Sequence, residues 1–398
     1  VQRDAHAIRE KKSMSDITSD RVMTAARELA PIIRDMREEL DATRHLPTSL
    51  AKKMARAGFF QLHACRELGG PELPPLTGFH VIEELSKADG SVGWCAMIAS
   101  SLSLTTGWLA PEVGRKMFGT PLDVRIAGSI RPQGRAYPVE GGYRVEGQWN
   151  FASGVHHANW LYCTCEVIHG DGTPEVRTLL VPAASATIVD TWSVIGMCGT
   201  GSHDFVVDGV FVPTAHDVSR SKPPQASGTL FTVYNAHVGQ GAAWSNTAAN
   251  ALGIARGAID AFVDLATRTS STMSTTLLRD RAMVQMRLAE AEAIVGAARA
   301  YVVESVRTAW QAACDGTLDA QRHGLPLRLA ITHSMHEAMR AVDIVFHAAG
   351  TNAVYRKHPL ERYFRDIHVA VQHAAALPSH IEAAGKVLMG HPLSAVGW

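Results

Sequence analysis

The sequence predicts an α+β fold in three successive parts: an N-terminal helical domain, a central antiparallel β-domain and a C-terminal helical bundle. Three observations predict it. The hydrophobic period changes from helical to alternating near Leu122 and back to helical beyond Pro213. The segment SRSKPPQASGT, rich in turn formers, precedes the second helical region. The expected divisions are 14–121, 122–214 and 215–398. Val1–Ser13 then form a leader or added residues ahead of a natural start at Met14.

Each element has its own signal. Thr48–Ser49 reads as an N-cap before LAKKMARAG, with Gly58 as the stop, and Thr77 precedes GFHVIEELSKAD, which Gly90 closes. SVGWCAMIASSLSL is apolar nearly all round, so that helix is expected to be buried. APEVGRKMFG has Pro111 at its start and Gly119 just past its end. In GGYRVEGQWNF, alternation puts Tyr143, Val145, Trp149 and Phe151 on one strand face. ANWLYCTCEVI, EVRTLLVP, ATIVDTWSVIG and DFVVDGVFVP follow between turns, a spacing that suggests a compact antiparallel barrel or sandwich. Three long Ala-rich patterns, 242–268, 278–313 and 326–350, suit an up-and-down bundle.

Composition excludes several classes. Lys plus Arg and Asp plus Glu both number 38, which leaves no electrostatic footprint for nucleic acid or an acidic membrane. No apolar run approaches the ~18 residues of a membrane span. The six cysteines form no CxxC pair or zinc spacing, and Cys163 and Cys165 share one strand face as core thiols, all consistent with a reducing cytoplasm. CGTGSHD and VGQGAAW lack the third glycine of a dinucleotide fingerprint. His156 and His157, adjacent on a presumed strand, would point to opposite faces and make a poor metal pair. No metal site and no GxSxG elbow is expected.

Three blocks carry a more specific signal: AGSIRPQGRAYPVEGGYRVEGQWNFASGVHHANW, GMCGTGSHDFVVDGVFVP and FHAAGTNAVYRKHPLERYFRDIHVAVQH. Together they resemble the acyl-CoA dehydrogenase superfamily. That resemblance implies an α-domain, a β-domain and a four-helix bundle, usually tetrameric. In the dehydrogenases a Glu shortly after the Arg-Asp pair removes the substrate α-proton. The matching position here is Ala374, and no carboxylate lies between Asp366 and Glu382. The same count puts His373 at the edge of the flavin pocket, where it resembles the histidine of group D two-component flavin monooxygenases such as the 4-hydroxyphenylacetate, dibenzothiophene and indole oxygenases. On a continuous helix, Asp366 and His373 would share a face and His368 would oppose them.

WNFASG (149–154) resembles the monooxygenase version of the segment beside the flavin ring. The resemblance implies that Phe151 and Ser153 contact the flavin near N5. There a hydroxyl can accept the N5–H that keeps a C4a-hydroperoxide from collapsing to hydrogen peroxide. It further implies that Ser129, Thr200 and Ser202 border the site, with Ser129 on the flavin. Asp366 is implied to approach the flavin, Gly350 to admit its pyrophosphate, and Arg268 to reach a phosphate across a dimer. Trp94 is expected to line the pocket. Leu102 stands nearest the place where several members carry a histidine, so one substrate or peroxide contact of those members is missing here.

The expected activity is therefore oxygenation of a phenol- or indole-like aromatic by non-covalent FMNH2 or FADH2 and O2. Ser153 would hold N5–H, and His373 would bond the peroxide or remove a substrate proton. A separate NAD(P)H-flavin reductase would supply the reduced flavin to a homotetramer. A dehydrogenase or oxidase on the same fold, or a catalytically silent flavin- or ligand-binding scaffold, are the alternatives.

Overall fold

A computed structural model of the chain describes residues 17–235, 239–270 and 275–392. The expected leader and the start at Met14 lie outside the described residues. The N-terminal helices are α1 (Ser19–Asp35), α2 (Arg37–Thr43), α3 (Thr48–Arg56), α4 (Pro75–Ala88), α5 (Gly90–Leu102) and α6 (Pro111–Phe118). Two caps differ from expectation. Pro47 takes the cap position before α3, so Thr48 is already helical. α4 begins at Pro75, ahead of Thr77, and is ended by Asp89 rather than Gly90. The Asp89 N–H closes on the Leu85 carbonyl at 2.9 Å, while its Oδ1 accepts the N–H of Ser91 at 3.0 Å and of Val92 at 3.2 Å. One residue thus stops α4 and caps α5, a role worth about 1 kcal/mol.

α5 is buried on both sides, as its composition predicts. Gly93 backs onto α4, where a Cβ would come within 1.9 Å of the Ser86 hydroxyl. On the opposite side Trp94, Met97, Ile98, Ser101 and Leu102, at helical spacing, face a cavity.

Strands β1 (Ile126–Val139), β2 (Gly142–Trp149), β3 (Trp160–Val167), β4 (Glu175–Pro182), β5 (Ala186–Val189) and β6 (Asp204–Pro213) form one sheet in the order β4-β3-β1-β2-β6-β5. The expected antiparallel barrel or sandwich is corrected to a mixed sheet. After β2, residues 150–159 return the chain to the start of β1. Trp160 pairs there with Ile126, so β3 runs parallel to β1.

Between Ser129 and Gly134, β1 leaves its register with β3, so Ile130 and Arg131 reach the cavity mouth. The expected shared face of β2 also breaks. Trp149 is fully buried, but the strand ends there; Phe151 turns out with φ +60° and is 60% exposed.

The C-terminal helices are α7 (Thr229–Asn235), α8 (Gly239–Arg268), α9 (Ala282–Cys314), α10 (Leu325–Ala349), α11 (Pro359–Ala370) and α12 (Ser379–Leu388). Fully buried Ala248, Ala251, Leu252, Ala255, Ala258, Ile259 and Phe262 form the inner stripe of α8. α8 also lies against α4, where a Cβ on Gly253 would come within 2.4 Å of the Glu83 carbonyl. Helices from both ends of the chain share one apolar core, and the sheet has its own around Trp149.

α11 stops at Ala370, so Asp366 and His373 do not share a helix face. His373 instead caps the short turn Ala374–Ala376. His156 and His157 lie in a 3-10 turn, not a strand. His156 stacks on His45 at 4.3 Å and His157 on Phe60 at 4.8 Å.

Candidate active site

A cavity of about 430 Å³ opens between α5, the start of β1, the loop 192–202, the start of α8 and the turn after α11. Trp94, Leu102, Trp108, Tyr162 and Trp244 give it an aromatic and aliphatic wall. Its described lining contains no Asp or Glu, and Ala374 is part of it. Trp94, Leu102, Ser129, Phe151, Ser153, Thr200, Ser202 and His373 all line the cavity.

A row of hydroxyls lines one side of the cavity. Trp94 Nε1–H donates to Ser153 Oγ at 3.1 Å, Ser153 and Ser202 hydroxyls lie 2.7 Å apart, and Ser202 and Thr200 hydroxyls also 2.7 Å apart. Thr200 Oγ1 donates to the Met197 carbonyl at 2.9 Å, which also accepts Trp192 Nε1–H at 3.2 Å. Ser153 is reached because Phe151, in the left-handed region, and Gly154 (φ +79°) turn the chain sharply after β2.

His373 projects between two tryptophans, 5.3 Å from the Trp94 ring and 6.0 Å from Trp244, edge to face. Its Nδ1 accepts the Ala375 N–H at 3.2 Å. Burial pushes its pKa down to about 4, with nearby His380 acting in the same direction. The ring is therefore neutral at pH 7 with its proton on Nε2, which makes it a donor. His368, as expected, faces elsewhere and pairs with Asp343 at 2.9 Å.

Asp366 does not line the cavity; it acts one layer behind. Its Oδ1 accepts the Met197 N–H at 2.6 Å, and Arg365 Nη1 donates to the Ile195 carbonyl at 2.7 Å. Gly196 between them is pressed so close that a Cβ would lie 2.4 Å from the Arg365 carbonyl oxygen. The Arg-Asp pair thus clamps the loop that presents Met197 and Thr200, and Met197 is held at φ +56°. Buried Arg362 anchors this clamp through Asp89 at 2.7 Å and Asp41 at 2.7 Å, with Asp366 at 3.8 Å. Burial raises the Asp366 pKa, Arg362 opposes that rise, and Asp89 adds to it.

Two expected flavin contacts lie away from this cavity in the single chain. Arg268 is exposed at the end of α8 and paired with Asp264, while Gly350 (φ +61°) ends α10 with open space where its Cβ would be. Sequence reasoning missed Arg131, Tyr162, Trp192, Arg220 and Trp244 as lining residues. Arg220 sits in the segment read only as a linker. Asp89 was findable, because an Asp before GSVG is a cap signal.

Comparison with known proteins decides the family. Residues 20–109 match the acyl-CoA dehydrogenase N-terminal domain and residues 245–378 its C-terminal domain. Indole-3-acetate monooxygenase of Pseudomonas putida is 30% identical over 352 residues, 88% of this chain and 89% of that protein. The chain belongs to the acyl-CoA dehydrogenase-fold flavin-dependent monooxygenases. The oxygenase component of an FADH2-dependent resorcinol hydroxylase from Rhizobium is 29% identical over 365 residues, 87% of this chain and 88% of that one. The crystal structure of a 3-HSA hydroxylase from Rhodococcus superposes with a TM-score of 0.86 at 27% identity, covering 94% of this monooxygenase and 97% of the other chain. Among the described residues, no helix of the monooxygenase is long and apolar enough to cross a membrane.

Proposed function

We propose that this monooxygenase is the oxygenase component of a two-component system that hydroxylates a small aromatic or heteroaromatic compound with reduced flavin and O2. The observation that carries the reading is the aromatic-walled cavity, free of carboxylates in its described lining, into which an acceptor hydroxyl (Ser153) and an imidazole donor (His373) both face. An acyl-CoA dehydrogenase needs a carboxylate base, and Ala374 supplies none.

The rim fits a flavin ring. Phe151 and Ile130 leave apolar surface exposed there by 60% and 55%. Trp192 stands edge-on to Phe151 at 6.3 Å, and Arg131 lies over it at 5.9 Å. When bound, the reduced flavin supplies the electrons that activate O2, one atom of which passes to the substrate and the other to water. Ser153 would accept the N5–H of that ring. His373 Nε2–H would donate to the oxygen being transferred; with that proton in place the ring is not poised as a base, so donation is favoured over removal of a substrate proton. The tryptophans and the α5 stripe keep bulk water from the site.

A diffusible NAD(P)H-flavin reductase supplies the flavin, and four copies of the chain assemble. Exposed Leu388, Met389 and Ile381 at the C-terminal end support such burial, as do Met283 and Met286 on α9. In the assembly Arg268 and the α10 end at Gly350 would meet a flavin held mainly by another copy, and sedimentation of a stable monomer at micromolar concentration would contradict it. The test of function is reconstitution. Pure protein with oxidised flavin and NADH should be inactive, and addition of a flavin reductase should start hydroxylation of a phenol or indole. NADH oxidation by the pure chain would refute the two-component reading.

A further inference from the structure

The hydroxyl row has a direction. The Met197 carbonyl can only accept, and it receives Thr200 Oγ1–H at 2.9 Å, the Thr200 N–H at 3.1 Å and Trp192 Nε1–H at 3.2 Å, with the Thr200 hydroxyl the nearest donor. With its proton committed there, Thr200 must accept from Ser202, and Ser202 must accept from Ser153 across the two 2.7 Å contacts. Ser153 already accepts one bond from Trp94 Nε1–H at 3.1 Å. One lone pair of Ser153 is left, and its proton is held by Ser202. We propose that Ser202 and Thr200 are positioning residues which hold Ser153 as an obligate acceptor, so that the site favours a flavin bearing N5–H over an oxidised flavin.

The chemistry follows from valence. Reduced flavin carries a hydrogen on N5; oxidised flavin offers only a lone pair there. An acceptor oxygen bonds the first and repels the second, and a hydroxyl free to turn serves either. Without Ser202, the Ser153 proton loses its buried partner and turns toward the cavity, where it would donate to an oxidised N5. Without the Thr200 hydroxyl, Ser202 loses the acceptor of its own proton and turns back on Ser153, and the order is lost in the same way. The anchor is stiff, because Asp366 holds the Met197 N–H at 2.6 Å. All members of the row are buried, which makes the order of these bonds costly to scramble.

The inference rests on the reading that Ser153 faces the flavin, and the experiment separates the two. Reduced and oxidised FMN and FAD are titrated anaerobically into wild type, Ser202→Ala, Thr200→Val and Ser153→Ala, with the melting temperature of each variant as a check on folding. The readout is the ratio of the oxidised to the reduced dissociation constant. Wild type should prefer reduced flavin, and the ratio should fall about tenfold in Ser202→Ala and in Thr200→Val, the worth of one good hydrogen bond. A fall in Ser153→Ala with an unchanged ratio in either of the other folded variants overturns the inference and leaves Ser153 in place. An unchanged ratio in all three overturns both. Equal weakening of both flavin forms counts as an unchanged ratio.

Discussion

Ser153→Ala is the substitution whose consequences the geometry defines most fully. It removes the acceptor of the 3.1 Å bond from Trp94 Nε1 and the donor of the 2.7 Å bond to Ser202. Leaving the buried indole N–H without a partner costs about 1–3 kcal/mol of stability, so the melting temperature should fall by several degrees while the fold persists. The functional loss is separate. If Ser153 accepts the flavin N5–H, its removal forfeits one hydrogen bond of about 1.5 kcal/mol, and activated oxygen should escape as hydrogen peroxide roughly tenfold faster. The assay counts hydroxylated product and hydrogen peroxide in parallel, per flavin reoxidised, at a temperature where both proteins are folded. Peroxide should rise as product falls, with reoxidation still complete. A variant that loses stability yet couples oxygen as well as wild type would refute the reasoning and leave Ser153 a structural hydroxyl.

Other substitutions and conditions test neighbouring parts. His373→Ala should lower oxygen transfer by about tenfold or more while flavin affinity changes little, since a positioned acid contributes at least that much; unchanged product formation would remove His373 from the chemistry. Gly196→Ala puts a Cβ 2.4 Å from the Arg365 carbonyl oxygen, so it should cost about 1–3 kcal/mol and lower coupling by shifting the Met197 loop; a wild-type melting temperature would contradict that.

Acid should destabilise the protein. His63, His157 and His373 have pKa values lowered by burial from 6.5 to about 4, 3 and 4. Below pH 6.5 the unfolded chain binds their protons and the folded chain does not, so their contribution is lost as pH falls. Asp366, raised by burial, has the opposite sign and offsets up to one proton. A net of about two protons corresponds to about 3 kcal/mol per pH unit near pH 5, and a melting temperature flat from about pH 7 to about pH 5 would contradict it.

Much of this was legible in the residues because it depends on local chemistry. The burial of Val145 and Trp149, the Pro111–Gly119 helix and the long Ala-rich helices follow from period and capping, and the structure has them. The Ala374–Ala376 run and the serine of WNFASG both drew attention to residues that line the cavity, Ala374 and Ser153. What escaped depends on long-range contact. Phe151 looked like one more inward strand residue, and only the end of β2 at Trp149 and the positive φ turn it outward. The seven-residue spacing of Asp366 and His373 suggested one helix face, but α11 stops at Ala370. His373 therefore reaches the cavity from a turn, while Asp366 grips Met197, 169 residues away in sequence. No periodicity reports such a pairing. Arg220 was hidden for a similar reason, in a segment whose composition says only that it is a loop.

The measurement that bears most directly on the central claim follows oxygen itself. The protein is mixed anaerobically with chemically reduced flavin and a panel of phenols and indoles, and isotopically heavy oxygen gas is then admitted. One heavy oxygen atom should appear in the hydroxylated product, with no product before oxygen enters and none from oxidised flavin and NADH alone. Substrate oxidised without oxygen, or product oxygen drawn from water, would contradict the account.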